Sequence, residues 1–127
     1  MKRENQFYKW IKTHSNNIYL CKIEHSLSVG IPDLLAVINN KTVFIELKIN
    51  ATNSPEKIGL NKFQKAWHIK FNKSGGLAFI LVNRPFQRDL KLFKLGAGGF
   101  SHIITQPKTS DGLQNIFDAI KNFKIIV

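Results

Sequence analysis

The apolar positions of this chain change period from one stretch to the next, and each period predicts an element. Phe7, Trp10 and Ile11 recur at i, i+3 and i+4, so Glu4 to Thr13 reads as an amphipathic helix. Ser15-Asn16-Asn17 is a turn, Ile18 to Ile23 alternates as a first strand, and His25 to Gly30 is a loop. Two apolar runs follow, Leu35-Ala36-Val37-Ile38 and Thr42-Val43-Phe44-Ile45, on either side of Asn39-Asn40. Run, turn-forming pair and run together predict a β-hairpin from Pro32 to Ile49. Pro32 suits the first position of a strand, where its missing N–H costs nothing.

Residues 50–59 form a polar loop, expected to be mobile. A second helix is predicted from Asn61 to Asn72, with Phe63, Trp67 and Phe71 as its buried stripe and Ser74-Gly75-Gly76 as its stop. Leu77 to Val82 is continuously apolar, as a central strand buried on both faces would be. Leu90 to Leu95 alternates as a half-exposed strand, Gly96-Ala97-Gly98-Gly99 is a turn, and Asp111 caps a last helix bearing Leu113, Ile116, Phe117 and Ile120. There is no internal repeat or low-complexity tract. The expectation is one α/β domain over residues 1–127.

At 127 residues one ordinary core suffices, because a chain of this size buries roughly two-thirds of its unfolded surface on folding. No apolar run is long enough to span a bilayer, and the N-terminus lacks the apolar stretch of a signal peptide. With Cys21 as the sole cysteine there is no intrachain disulfide and no cysteine-based zinc site. A cytoplasmic protein without a membrane partner is expected. Lys and Arg outnumber Asp and Glu by 19 to 8, a formal charge of +11, which points to a polyanionic partner, nucleic acid first.

Against that basic background the placement of acids stands out. If Asn39 and Asn40 are the central turn residues, pairing runs outward from Ile38 with Lys41 until Asp33 stands across from Glu46. Facing side chains of an antiparallel pair lie roughly 4.5–5.5 Å apart at Cβ, and like charges there destabilise the sheet. A divalent cation between them explains the pair. Lys48 shares the Glu46 face of the strand, while Leu47 turns its side chain away and leaves its carbonyl near the site. Hard oxygen donors suit Mg²⁺, with Mn²⁺ as the alternative, and phosphodiester hydrolysis needs such a cation together with an activated water. The alternative is an ordinary same-face charge pair, Glu46 with Lys48, on a solvated strand.

Pro32-Asp33, twelve intervening residues and Glu46-Leu47-Lys48 resemble the PD-(D/E)xK nuclease superfamily. Gly30-Ile31-Pro32-Asp33-Leu34-Leu35, Val43-Phe44-Ile45-Glu46-Leu47-Lys48, Gln64 early in a helix and Gly75-Gly76 before an apolar strand are similar in particular to its VRR-NUC branch and to small phage endonucleases of the Holliday-junction-resolvase kind. The resemblance covers about residues 2–82. It implies a restriction-endonuclease-like α-β-β-β-α-β core, a mixed central sheet flanked by helices, with the C-terminal strand and helix added. It also implies that Asp33 and Glu46 are metal ligands, that Lys48 is catalytic, that Gln64 supports the site and that Glu4 is the acid of the first helix.

Gln64 has a second reading, since with Asn61 as N-cap it completes a capping box. Glu4 has one too, as a first-turn acid complementing the helix dipole, and Glu24 competes with it as the additional acid. Lys57, Lys62, Lys65, Lys70 and Lys73 suit phosphate contacts or simple solvation equally, and His68, one turn beyond Gln64, is a candidate for the nucleic-acid face. Trp10 and Trp67 read as core before they read as base-stacking platforms. The expected activity is a Mg²⁺-dependent endonuclease acting on branched or junction DNA, with a homodimer able to make paired cuts. A broad-specificity duplex nuclease and a non-catalytic nucleic-acid-binding domain are the alternatives, and DNA over RNA rests on the resemblance.

Overall fold

The computed structural model describes residues 2–23, 30–54 and 57–124. The predicted helix and first hairpin are present as α1 (Lys2–His14), β1 (Tyr19–Lys22), β2 (Leu34–Ile38) and β3 (Lys41–Ile49). Asn39 and Asn40 both take positive φ, 50° and 68°. That is the backbone of a type I′ turn, whose twist matches that of the strands it joins. The turn fixes the register, with Ile38 opposite Lys41 and Leu34 opposite Ile45.

Next come α2 (Lys62–Lys73), β4 (Ala78–Arg84), β5 (Asp89–Gly96), β6 (Gly99–Pro107) and α3 (Ser110–Lys121). The six strands lie side by side in chain order in one sheet, and only β3 with β4 is parallel. That parallel pair needs a crossover, which α2 supplies. The α-β-β-β-α-β order expected from sequence is therefore observed. Every residue of β4 is buried, as its continuous apolar run requires.

The larger core lies on one face of the sheet. Leu34, Ala36, Val43, Ile45, Leu47, Phe79, Leu81, Leu90 and Leu92 pack there against Phe7 and Ile11 of α1 and Leu113, Ile116, Phe117 and Ile120 of α3. The other face carries α2 over a smaller group, Leu60, Ile80, Val82, Phe93 and Leu95.

Four sequence expectations change. Strand β6 was not anticipated, because as an edge strand with an exposed first half it carries little apolar alternation. Helix α3 is capped by Thr109, whose side chain accepts from the Gly112 N–H, and Asp111 lies inside the first turn. Residue Asn50, expected in a mobile loop, is buried, donates to the Ser54 carbonyl and accepts from the Thr52 N–H, so it ties down the chain leaving β3. The stripe of α2 is only partly covered: Phe63 is 51% exposed, while Trp67 and Phe71 pack on Phe44. The buried residue of α2 is His68. The predicted loop from His25 falls mostly outside the described residues.

Candidate active site

Pairing of β2 with β3 ends at Leu34, one residue before the acid of interest. At Asp33 the strands part while the backbone still pairs with β1, the Ile23 N–H donating to the Asp33 carbonyl at 2.8 Å. The Leu47 N–H, left without a strand partner on that side, donates instead to Asp33 Oδ2 at 2.8 Å. One hydrogen bond thus fixes the Asp33 carboxylate against the segment that carries Glu46 and Lys48. Gly30 makes the approach feasible. Its φ is +89°, and a Cβ there would lie 2.5 Å from the Phe63 carbonyl oxygen, so only glycine lets this segment pass the start of α2.

Glu46 is 2% exposed, an unusual environment for a carboxylate. Gln64 Nε2 donates to its Oε2 at 3.0 Å, and Lys48 Nζ stands 3.8 Å from the same oxygen. Its Oε1 is buried without a hydrogen-bond partner. Burial, first, and the adjacent Asp33 carboxylate, second, push the Glu46 carboxyl up to about 9, with Lys48 opposing them and Glu4 adding to them. Near neutral pH the group stays protonated unless a positive charge arrives.

Gln64 fills both of its sequence readings at once. Its backbone N–H donates to Asn61 Oδ1 and its Oε1 accepts from the Asn61 N–H, a complete capping box. The remaining NH₂ is the group that reaches Glu46. Glu4 lines a cleft of about 240 Å³ together with Asp33, Leu47, Tyr8 and Lys22, so α1 does bring its acid to the same end of the sheet. Glu24, the competing acid, lies outside the described residues.

These donors suit a hard cation. An orphaned buried carboxylate oxygen beside a second carboxylate is a pair that a divalent ion would satisfy, with the Leu47 carbonyl as a neighbouring oxygen. Among the described residues no three His, Cys, Asp or Glu side chains form a ready-made cage. An ion here would complete its sphere from backbone, water and substrate, as Mg²⁺ usually does.

No known family's sequence profile matches the chain, and no curated protein matches it by sequence. Among solved structures, one described as a VRR_NUC domain is similar, with a TM-score of 0.51 and 24% identity over 66% of this chain and 87% of that one. The chain has a VRR_NUC-like fold. It is thereby a mixed-sheet, restriction-endonuclease-like α/β structure, as the PD-(D/E)xK resemblance implied.

In this VRR_NUC-like fold the remaining candidates separate. Lys57, Lys62 and Lys65 are exposed, with Lys62 Nζ 5.2 Å from the Phe63 ring. His68 is corrected: it is 0% exposed and both ring nitrogens are buried without partners, so it offers nothing to a phosphate. Burial holds it neutral, its pKa lowered to about 4. Sequence reasoning also missed Asn83, a polar residue 5% exposed in β4 whose Oδ1 has no partner. Its place at the end of an apolar run was the one available signal.

Proposed function

We propose that this protein is a metal-dependent endonuclease of the PD-(D/E)xK type that cuts branched or junction DNA. The observation carrying the reading is the buried Glu46 carboxyl held against Asp33, its Oε1 accepting from no donor of the fold. A fold without this chemistry has no reason to hold a carboxyl in that state, since it costs stability whenever it ionises. Asp33, Glu46 and the Leu47 carbonyl would hold Mg²⁺, or Mn²⁺. When bound, the ion would neutralise charge on the phosphate and help make a reactive water available near neutral pH.

The chain's own residues do the rest. Leu47 N–H fixes Asp33, and Gln64 fixes Glu46 through Oε2. Lys48, on the Glu46 face, orients or deprotonates the attacking water and stabilises negative charge as it develops. Glu4 is the further acid at the cleft. Exposed Lys57, Lys62 and Lys65 contact phosphates along α2 and the segment before it. Selectivity for a junction would come from shape and backbone contacts, and a homodimer would deliver paired cuts across it.

The test is cleavage of a labelled four-way DNA junction beside matched linear duplex, by wild type and Glu46→Ala, with Mg²⁺ and with a chelator. Metal-dependent junction cutting that vanishes in the variant is expected. Equal cutting of both substrates would replace junction selectivity with broad duplex cleavage, and salt-sensitive binding without cutting would leave a binding domain.

A further inference from the structure

A second cavity lies on the other side of α1 from the acidic cleft. It holds about 650 Å³, within the range of ligand sites, and sits among α1, the ends of β3 and β4, the turn after β4 and the segment after β6. Its lining combines three kinds of group that seldom meet by chance. Trp10 and Phe86 are aromatic, and Phe86 is 66% exposed, an apolar ring held in solvent at the rim. Arg3 and Lys108 are cationic, Lys108 Nζ lying 5.2 Å from the centre of the Trp10 ring, and among the described residues no carboxylate lines the cavity. Asn83 is the third kind, 5% exposed, its Oδ1 buried and without a hydrogen-bond partner. A buried amide oxygen left unpaired is costly, and a ligand that donates a hydrogen bond would satisfy it.

We propose that this cavity takes one unpaired nucleotide of the bound strand, its base against the exposed ring of Phe86, a base N–H on Asn83 Oδ1, and its phosphate against Arg3 and Lys108, while Trp10, stacked on His14, forms the wall. An aromatic ring accepts any base by its face, cations accept the phosphate, and an acceptor at the floor takes the N–H that each base offers, the exocyclic amine of adenine or cytosine or the N3–H of thymine. Arg3 and Glu4 are consecutive in the first turn of α1 and line opposite sides of it, so a strand engaged at the acidic site reaches this cavity by crossing the start of α1. The inference rests on the nuclease reading, and it supplies a reason to prefer DNA with an unpaired nucleotide, such as a bulge, flap or gap, over continuous duplex.

Binding is measured in chelator, so that no cleavage intervenes, by Trp10 fluorescence in a Trp67→Phe background with (dA)₃, (dC)₃, (dT)₃ and free dAMP. Quenching is expected with every trimer, since each base offers Asn83 an N–H. The trimers should also bind tighter than dAMP. Phe86→Ala, at an exposed position that leaves the core intact, should weaken every trimer about tenfold, and Asn83→Leu should weaken them about fivefold, the worth of one hydrogen bond. In Mg²⁺, Phe86→Ala should slow cutting of a duplex with one unpaired adenine while leaving flush duplex unchanged.

Absence of quenching, or trimer binding unchanged in Phe86→Ala, overturns the proposal. So does dAMP binding as tightly as the trimers, which would make this a free-nucleotide site. Failure of wild type to cut either duplex would sink the nuclease reading, and the binding measurements would still decide the cavity.

Discussion

The two faces of the sheet are built for different ends. The face under α1 and α3 is closed by interlocking apolar side chains, Phe7, Phe79, Leu81 and Phe117 among them, each at most 2% exposed. The face under α2 has a smaller apolar group and spends buried positions on Glu46 and His68, whose Oε1 and ring nitrogens lack partners, while Phe63 stays in solvent. Burying polar groups unpaired costs stability, so the second face is tolerable only because the first holds the fold. Most of the stability thus comes from the first face, while the buried carboxyl of the candidate site belongs to the second.

That separation is open to attack from both sides. The largest effect should come from Glu46→Ala, which is expected to lower cleavage at least roughly 10²–10³-fold, the scale of losing a key electrostatic contact in an active site. The thermal midpoint of the metal-free variant at pH 8 should be no lower than that of wild type, since a buried acid has gone; a large drop would show that Glu46 holds the fold. The opposite experiment is Phe79→Ala, from the closed face. A fully buried phenylalanine lost to a cavity should cost about 3–5 kcal/mol in denaturant unfolding, with cleavage per folded molecule little changed.

Gln64 spans helix and site, so its variants test where the boundary lies. Gln64→Ala should cost about 1 kcal/mol of stability through the cap and about 10–100-fold in cleavage through Glu46. Gln64→Glu preserves the capping box but offers Glu46 no donor, so stability should survive better than cleavage. Unchanged cleavage per folded molecule in Gln64→Glu would make Gln64 a cap alone.

The effect confined to stability is in the pH profile of the metal-free protein. Glu46 is raised from 4.5 to about 9, so the folded state keeps a proton that the unfolded chain has lost, and stability falls as pH rises through that window. His68 is lowered from 6.5 to about 4, so the unfolded chain binds the proton first and stability falls as pH drops from 6.5 toward 4. Where the windows overlap the two slopes oppose each other, which predicts a plateau near pH 4.5–6.5 and a decline above it of at most about 1.4 kcal/mol per pH unit. Glu46→Gln should flatten the alkaline limb, and His68→Phe should weaken the acid one. Added Mg²⁺ should restore stability at pH 8 in wild type but not in Glu46→Gln.

Much of this architecture was readable before folding because it is local. Helix α1, the buried strand β4 and the apolar face of α3 follow from period and composition over short windows. The less legible parts depended on distant neighbours. Edge strand β6 pairs with β5 through the backbone, so its side chains need carry little apolar pattern. On α2 the spacing of Phe63, Trp67 and Phe71 pointed to a buried face, yet the neighbouring His68 is the residue the sheet covers.

What the sequence determined alone was the hairpin register, which brings Asp33 to the end of β3 that carries Glu46, while the expected cross-strand pair of Asp33 with Glu46 is not reached, because the ladder stops at Leu34 with Ile45. Asn39 and Asn40 tolerate positive φ, positive φ makes the tight turn, and the turn leaves only one register for the strands beside it. What only the tertiary structure decided was what surrounds those two acids. Gln64 meets Glu46 because the parallel crossover lays α2 across β3, and Asn83 meets Arg3, Trp10 and Lys108 because α1 and the segment after β6 converge on the end of β4. No short window of sequence encodes such meetings. They are set when the sheet buries its faces and brings remote elements to one end.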